Sequence, residues 1–192
     1  MLFRSGACAH LIFPGCGHGV PGSFRFDVGF GDRSYRADDD VDADGDDDLY
    51  IAAGSSESER NTSAYEDKLY INDGKGNFSL HSNAIPDSVV TIAGSVCAGD
   101  YDNDGDMDIL LSNISDTNKL YRNNGDGTFT DVYSASGIDS QVGSWELQAA
   151  DFNNDGWMDF LWQNSKELYL NNGNLTFTGY DLSFSEGGIG DL

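Results

Sequence analysis

The chain repeats itself three times, and no other feature of the sequence narrows its fold as much. Asp40-Val-Asp-Ala-Asp-Gly-Asp-Asp-Asp48, Asp100-Tyr-Asp-Asn-Asp-Gly-Asp-Met-Asp108 and Asp151-Phe-Asn-Asn-Asp-Gly-Trp-Met-Asp159 align without gaps. Each runs into a short apolar stretch beginning at Leu49, Ile109 or Phe160. A second block then follows: Lys68-Leu-Tyr-Ile-Asn-Asp-Gly-Lys-Gly-Asn-Phe78, Lys119-Leu-Tyr-Arg-Asn-Asn-Gly-Asp-Gly-Thr-Phe129 and Glu167-Leu-Tyr-Leu-Asn-Asn-Gly-Asn-Leu-Thr-Phe177. The acidic segments start 60 and then 51 residues apart.

Within a repeat the pattern is that of strands. The apolar stretches after the acidic segments are too short for helices and suit strands buried on both faces. Leu-Tyr, then Asp73-Gly74, Asn124-Gly125 or Asn172-Gly173, then Phe, reads as strand, tight turn, strand. No i, i+3, i+4, i+7 apolar pattern is long enough to indicate a helix. Residues 54–67 form a polar insertion, rich in Ser and Glu, that only the first repeat carries, and it reads as a surface loop. Tyr70, Tyr121 and Tyr169 recur at one position and are expected to pack the repeated core. Several short strands in about 50 residues describe one blade of a β-propeller.

The acidic segments carry the chemistry. Of 33 acids, 27 are Asp and 6 are Glu, a bias toward turns and oxygen-ligand metal sites rather than charged helices. Alternate side chains on a tightly turning loop converge on one point, and Gly45, Gly105 and Gly156 mark the sharp turn at position six. Counting from that glycine gives first ligands Asp40, Asp100 and Asp151, and third-position ligands Asp42, Asp102 and Asn153. Fifth-position ligands are Asp44, Asp104 and Asp155. At position seven, Asp46, Asp106 and Trp157 would contribute a backbone carbonyl, and Asp48, Asp108 and Asp159 close the cage at position nine. The all-oxygen donor set predicts about three Ca²⁺ ions, one per loop. An EF-hand would need a Glu at position twelve, where Ile51, Leu111 and Trp162 stand instead. The third loop should bind most weakly, because Asn153 removes one ligand charge. Loop oxygens that saturate the ion leave no open coordination position for hydrolysis, so the metal is expected to be structural and no catalytic residue is assigned.

These two blocks, recurring together, resemble the FG-GAP/VCBS repeats of integrin-α-like β-propellers over residues 34–192. The resemblance implies four-stranded blades with the acidic loop joining the first two strands. It implies a non-enzymatic module for adhesion or protein interaction, outside the cell, at its surface or in the periplasm. A rival expectation is a substrate-binding appendage, for carbohydrate among others, of a secreted hydrolase or lyase. The fold expected is therefore all-β, with repeats at about 34–93, 94–144 and 145–192 and a segment 1–33 that carries neither motif. Gly190-Asp191-Leu192 matches the entry into the second loop, so three blades of an incomplete ring, able to self-associate through an open edge, are expected.

Charge and cysteine content bound the partners. A formal charge of −23 leaves no basic stripe for nucleic acid and disfavours anionic membrane surfaces. No apolar run approaches the roughly 20 residues of a membrane span. Arg4 and the run from Ala7 to Phe13, broken by His10 and closed by Pro14, make no clear signal peptide. Cys8, Cys16 and Cys97 are an odd number that does not settle the compartment.

Overall fold

The structure is a computed structural model that describes residues 34–42, 44–53, 66–86, 93–114, 117–139, 147–162 and 166–182. The segment 1–33, most of the polar insertion and the Gly190-Asp191-Leu192 match lie outside the described residues. Among the described residues the chain forms twelve strands in three antiparallel four-stranded sheets, each strand paired with its neighbours in sequence. The first sheet holds β1 (Ser34–Asp39), β2 (Asp48–Ala53), β3 (Lys68–Asn72) and β4 (Phe78–Leu80). The second holds β5 (Ala93–Gly99), β6 (Asp108–Asn113), β7 (Lys119–Asn123) and β8 (Phe129–Asp131). The third holds β9 (Leu147–Ala150), β10 (Asp159–Trp162), β11 (Glu167–Asn171) and β12 (Phe177–Asp181). One turn of 3₁₀-helix, Tyr133–Ala135, follows β8. The first strands line up across the sheets, β5 packing against both β1 and β9. Sequential meanders stacked through their first strands are blades of a β-propeller, as the repeat predicts.

The middle blade shows why period-two alternation builds this stack. Every residue of β5 and β6 is buried. Val96, Ala98, Ile109, Leu111, Tyr121 and Phe129 point into a cluster shared with Val41, Tyr50, Ala52 and Leu69 of the first blade. Their alternating neighbours Cys97, Leu110 and Leu120 point the other way, into a cluster with Phe160, Trp162, Tyr169 and Phe177 of the third blade. The second cluster is aromatic: Phe160 stacks on Tyr169 at 4.9 Å and meets Phe177 edge-on at 5.0 Å. Cys97, fully buried here, is disulfide-bonded. Tyr121 and Tyr169 are core residues as expected, whereas Tyr70 is only half-buried, because no preceding blade covers its face among the described residues.

The third-strand hairpins follow the turn chemistry of the sequence. Asp73, Asn124 and Asn172 each donate their N–H across the turn to the carbonyl of Asn77, Thr128 or Thr176. Gly74 and Gly76, and Gly125 and Gly127, adopt positive φ. In the third copy Leu175 takes the place of the second glycine and still adopts φ 57°. A left-handed Leu costs on the order of 1–2 kcal/mol. Its side chain is buried in the cluster between the second and third blades, which offsets that strain.

Candidate metal centre

The acidic loops join the first and second strands of each blade, at the same end as the hairpins. Each loop is built around its ninth residue. The carboxylates of Asp48, Asp108 and Asp159 are buried, and each bridges two backbone N–H groups. Asp48 accepts from Val41 at 3.0 Å and Asn72 at 2.9 Å. Asp108 accepts from Tyr101 at 3.0 Å and Asn123 at 2.8 Å, and Asp159 from Phe152 at 2.9 Å and Asn171 at 2.8 Å. One carboxylate thus ties the start of the loop to the end of the third strand. That tie explains why acidic segment and hairpin block recur as a unit.

The first residue shapes the turn. Asp40, Asp100 and Asp151 each accept the N–H of the position-six glycine, at 3.0, 3.2 and 3.0 Å. Gly45, Gly105 and Gly156 have φ of 96°, 102° and 93°, a conformation that side chains rarely adopt. Fifth-position carboxylates turn onto the following residue: Asp44, Asp104 and Asp155 accept from Asp46, Asp106 and Trp157 at 3.0, 2.9 and 2.9 Å.

Two loops gather three carboxylates. Oxygens of Asp40, Asp42 and Asp48 lie within 4.8 Å of one another, as do those of Asp100, Asp102 and Asp108. These are positions one, three and nine; the fifth-position acids stand outside both groups. In the third loop Asn153 occupies position three, and its amide nitrogen donates to Asp155 at 2.8 Å. Burial pushes Asp108 up to about 7, against the two N–H donors and with help from the Asp102 and Asp104 charges. Burial likewise raises Asp48 and Asp159, and burial followed by the neighbouring Asp104 raises Asp102. Converging carboxylates with raised pKa values are a site that favours either protons or a cation. The donors fit a hard divalent ion: all are oxygens, and the buried ninth-position carboxylates are already oriented.

Two side chains that the sequence reading left without a role prove central. Asn123, at the end of β7, donates its amide N–H to the carbonyl of Val41 in the first blade's loop at 2.8 Å. Asn171, at the end of β11, does the same to Tyr101 in the second blade's loop at 2.7 Å. Both are buried, and both also reach a carbonyl of their own blade, Met107 at 3.3 Å and Met158 at 3.0 Å. They staple each blade to the loop of the one before it. The signal was an Asn at one position in all three copies. The seventh-position side chains meet the hairpin too: a Cβ on Gly125 would lie 2.8 Å from Asp106, and one on Gly173 2.9 Å from Trp157.

Four-stranded meanders stapled through acidic loops define a β-propeller repeat protein whose loops can hold a cation. The profile of the FG-GAP-like repeat matches residues 40–111 and 100–162, and the chain belongs to that family. It is 36% identical over 80 residues to cartilage acidic protein 1 of Xenopus tropicalis, covering 39% of this chain and 12% of that protein. Against the human cartilage acidic protein 1 it is 40% identical over 68 residues, covering 33% of this chain and 10% of that one. The chain therefore spans only about a tenth of the length of these relatives. Its fold is similar to that of an Agrocybe aegerita lectin solved for its recognition of non-reducing terminal N-acetylglucosamine. That likeness has a TM-score of 0.51 at 19% identity and covers 76% of this chain and 37% of the lectin. Among the described residues, no helix is long and apolar enough to cross a membrane.

Proposed function

We propose that this chain is a calcium-stabilised propeller module that binds a protein or glycan partner outside the cell and has no catalytic role of its own. The observation that carries the metal reading is the convergence of Asp100, Asp102 and Asp108, whose buried acid is held at the cost of its ordinary pKa. Calcium suits it better than a transition metal, because every donor is a hard oxygen. The equivalent groups at Asp40, Asp42, Asp48 and at Asp151, Asn153, Asp159 would take ions in the same way, with fifth-position acids and seventh-position carbonyls completing the shells. The ion's task is structural: it offsets carboxylate repulsion at the same loops that the asparagine staples grip.

An extracellular setting agrees with the disulfide at Cys97 and with loops that suit millimolar calcium. The fold neighbour is a lectin for terminal N-acetylglucosamine, so glycans belong in the first ligand panel beside matrix proteins. The test is binding to an immobilised glycan and matrix-protein panel, with calcium and with chelator. Calcium-dependent binding that Asp108→Ala abolishes supports the reading. Binding indifferent to both chelator and variant contradicts it.

A further inference from the structure

The buried ninth-position acids of the three loops are joined by an unbroken line of hydrogen bonds. Asp159 accepts the backbone N–H of Asn171 at 2.8 Å, and the Asn171 side chain donates to the Tyr101 carbonyl at 2.7 Å. The Tyr101 N–H in turn donates to one oxygen of Asp108 at 3.0 Å. The other Asp108 oxygen accepts the Asn123 N–H at 2.8 Å, and the Asn123 side chain donates to the Val41 carbonyl at 2.8 Å. The Val41 N–H closes the line on Asp48 at 3.0 Å. Every residue on it is buried, so water does not compete for these bonds.

The second and third loops share a further bond. Asn103, at position four of the second loop, donates its side-chain amide to the carbonyl of Gly156, at position six of the third, at 3.1 Å. Asn103 holds a φ of 56°, a left-handed conformation that Asn tolerates because its short polar side chain bonds nearby. The first loop has Ala43 at this position, which carries no amide to offer. The second loop is thus gripped from the third blade at Tyr101 and itself grips the turn of the third loop through Asn103.

We infer that adjacent loops fill cooperatively, Asn171 and Asn103 coupling the third loop to the second and Asn123 coupling the second to the first. The inference rests on the calcium reading proposed above. Its basis is shared ordering. Asp100, Asp102 and Asp108 converge only when the second loop holds one arrangement, and that arrangement also fixes the N–H and carbonyl of Tyr101. Asn171 then finds its acceptor in place, and the backbone N–H it presents to Asp159 is oriented before the third loop fills. Freedom already given up at one loop does not have to be given up again at the next. By linkage the coupling is reciprocal, so filling the third loop favours the second by the same factor. Asn123 and Asn171 touch no ion themselves; they are positioning residues that act through Asp108 and Asp159.

The experiment is a calcium titration of the 192-residue chain followed by amide NMR. Gly45, Gly105 and Gly156 each donate their N–H to the first acid of their own loop, so each amide reports its own loop. The second loop is disabled by Asp102→Ala with Asp104→Ala. This removes two negative charges, as many as a bound divalent cation neutralises, so the net charge beside the third loop is the same as when the second is filled. The calcium midpoint at Gly156 should rise at least ~5-fold when the second loop is disabled. In a chain carrying Asn103→Gly and Asn171→Ala, disabling the second loop should move that midpoint by less than ~2-fold. Asn103→Gly leaves the positive φ unstrained and alters an exposed side chain, so alone it should already shrink the ~5-fold effect, which keeps the test open should Asn171→Ala unfold the third blade. A Gly156 midpoint indifferent to the second loop in the unaltered chain overturns the inference and leaves the calcium reading standing. An effect that survives the asparagine substitutions undiminished overturns the role given to them. Glycine amides that ignore calcium altogether overturn both the inference and the calcium reading.

Discussion

Replacing Asn123 by Ala tests whether the asparagine staple joins the blades or merely decorates a turn. The Asn123 side chain makes three described hydrogen bonds: its amide N–H groups reach Val41 at 2.8 Å and Met107 at 3.3 Å, and its oxygen accepts from Gly125 at 3.0 Å. At roughly 0.5–1.5 kcal/mol per hydrogen bond, their loss from a buried site costs about 3 kcal/mol. For a domain of this size, about 2–4 °C per kcal/mol turns that into a fall of roughly 6–12 °C in melting temperature. Asn72→Ala is the internal control. Asn72 has the same place in its blade, but its side-chain contacts to Asp47 and Gly74 are exposed and, among the described residues, no neighbouring loop receives it. Exposed bonds of this kind are worth about 1 kcal/mol or less together, so the fall should stay below about 4 °C. The assay is differential scanning calorimetry in millimolar calcium. Equal falls for Asn72→Ala and Asn123→Ala would refute the reasoning, because burial and the inter-blade partner would then count for nothing.

Asn153→Asp should tighten calcium binding at the third loop by restoring a ligand charge, visible as a rise in the weakest affinity by isothermal titration; unchanged affinity would count against ligation by that side chain. In chelator, the folded chain keeps a proton on Asp108 up to about 7, while the unfolded carboxyl loses it near 3.8. The folded state therefore binds more protons in that window, and metal-free stability should fall as pH rises through it; melts that are flat or rise with pH would contradict this. Gly173→Ala should destabilise more than Gly76→Ala, since their φ values are 84° and 83° but only the first places a Cβ 2.9 Å from the rigid Trp157 ring while the second meets nothing within 4 Å. Chemical denaturation of the two variants compares them directly, and the reverse order would sink the argument.

The blade was legible because its parts are local. Acidic loop, apolar stretch, Leu-Tyr strand and glycine hairpin each have a short-range cause, and they appeared in the order the sequence predicts. Interactions between blades were not legible. Nothing in the spacing of Asn123 reveals that its amide crosses 82 residues to Val41, since that depends on how one meander leans on the next. The same limit applied to the loops. Positions one, three and nine converge, but the fifth-position acids turn onto the seventh-position N–H, a choice set by the local turn rather than by the spacing of carboxylates. Leu175 is a third case: a glycine position filled by Leu reads as a departure from the motif, until the core beneath it shows where the side chain goes.

Isothermal titration of the chelated chain with calcium, paired with melts of the same samples, tests the central claim most directly. The account predicts saturable uptake of about three ions per chain at millimolar calcium or below. It also predicts a melting temperature that climbs with occupancy, by about 2.7 kcal/mol of stabilisation for a site at a hundredfold excess over its Kd. Asp104→Ala and Asp108→Ala should blunt both responses. No heat and no change in melting temperature at millimolar calcium would contradict the assignment of these loops as calcium sites.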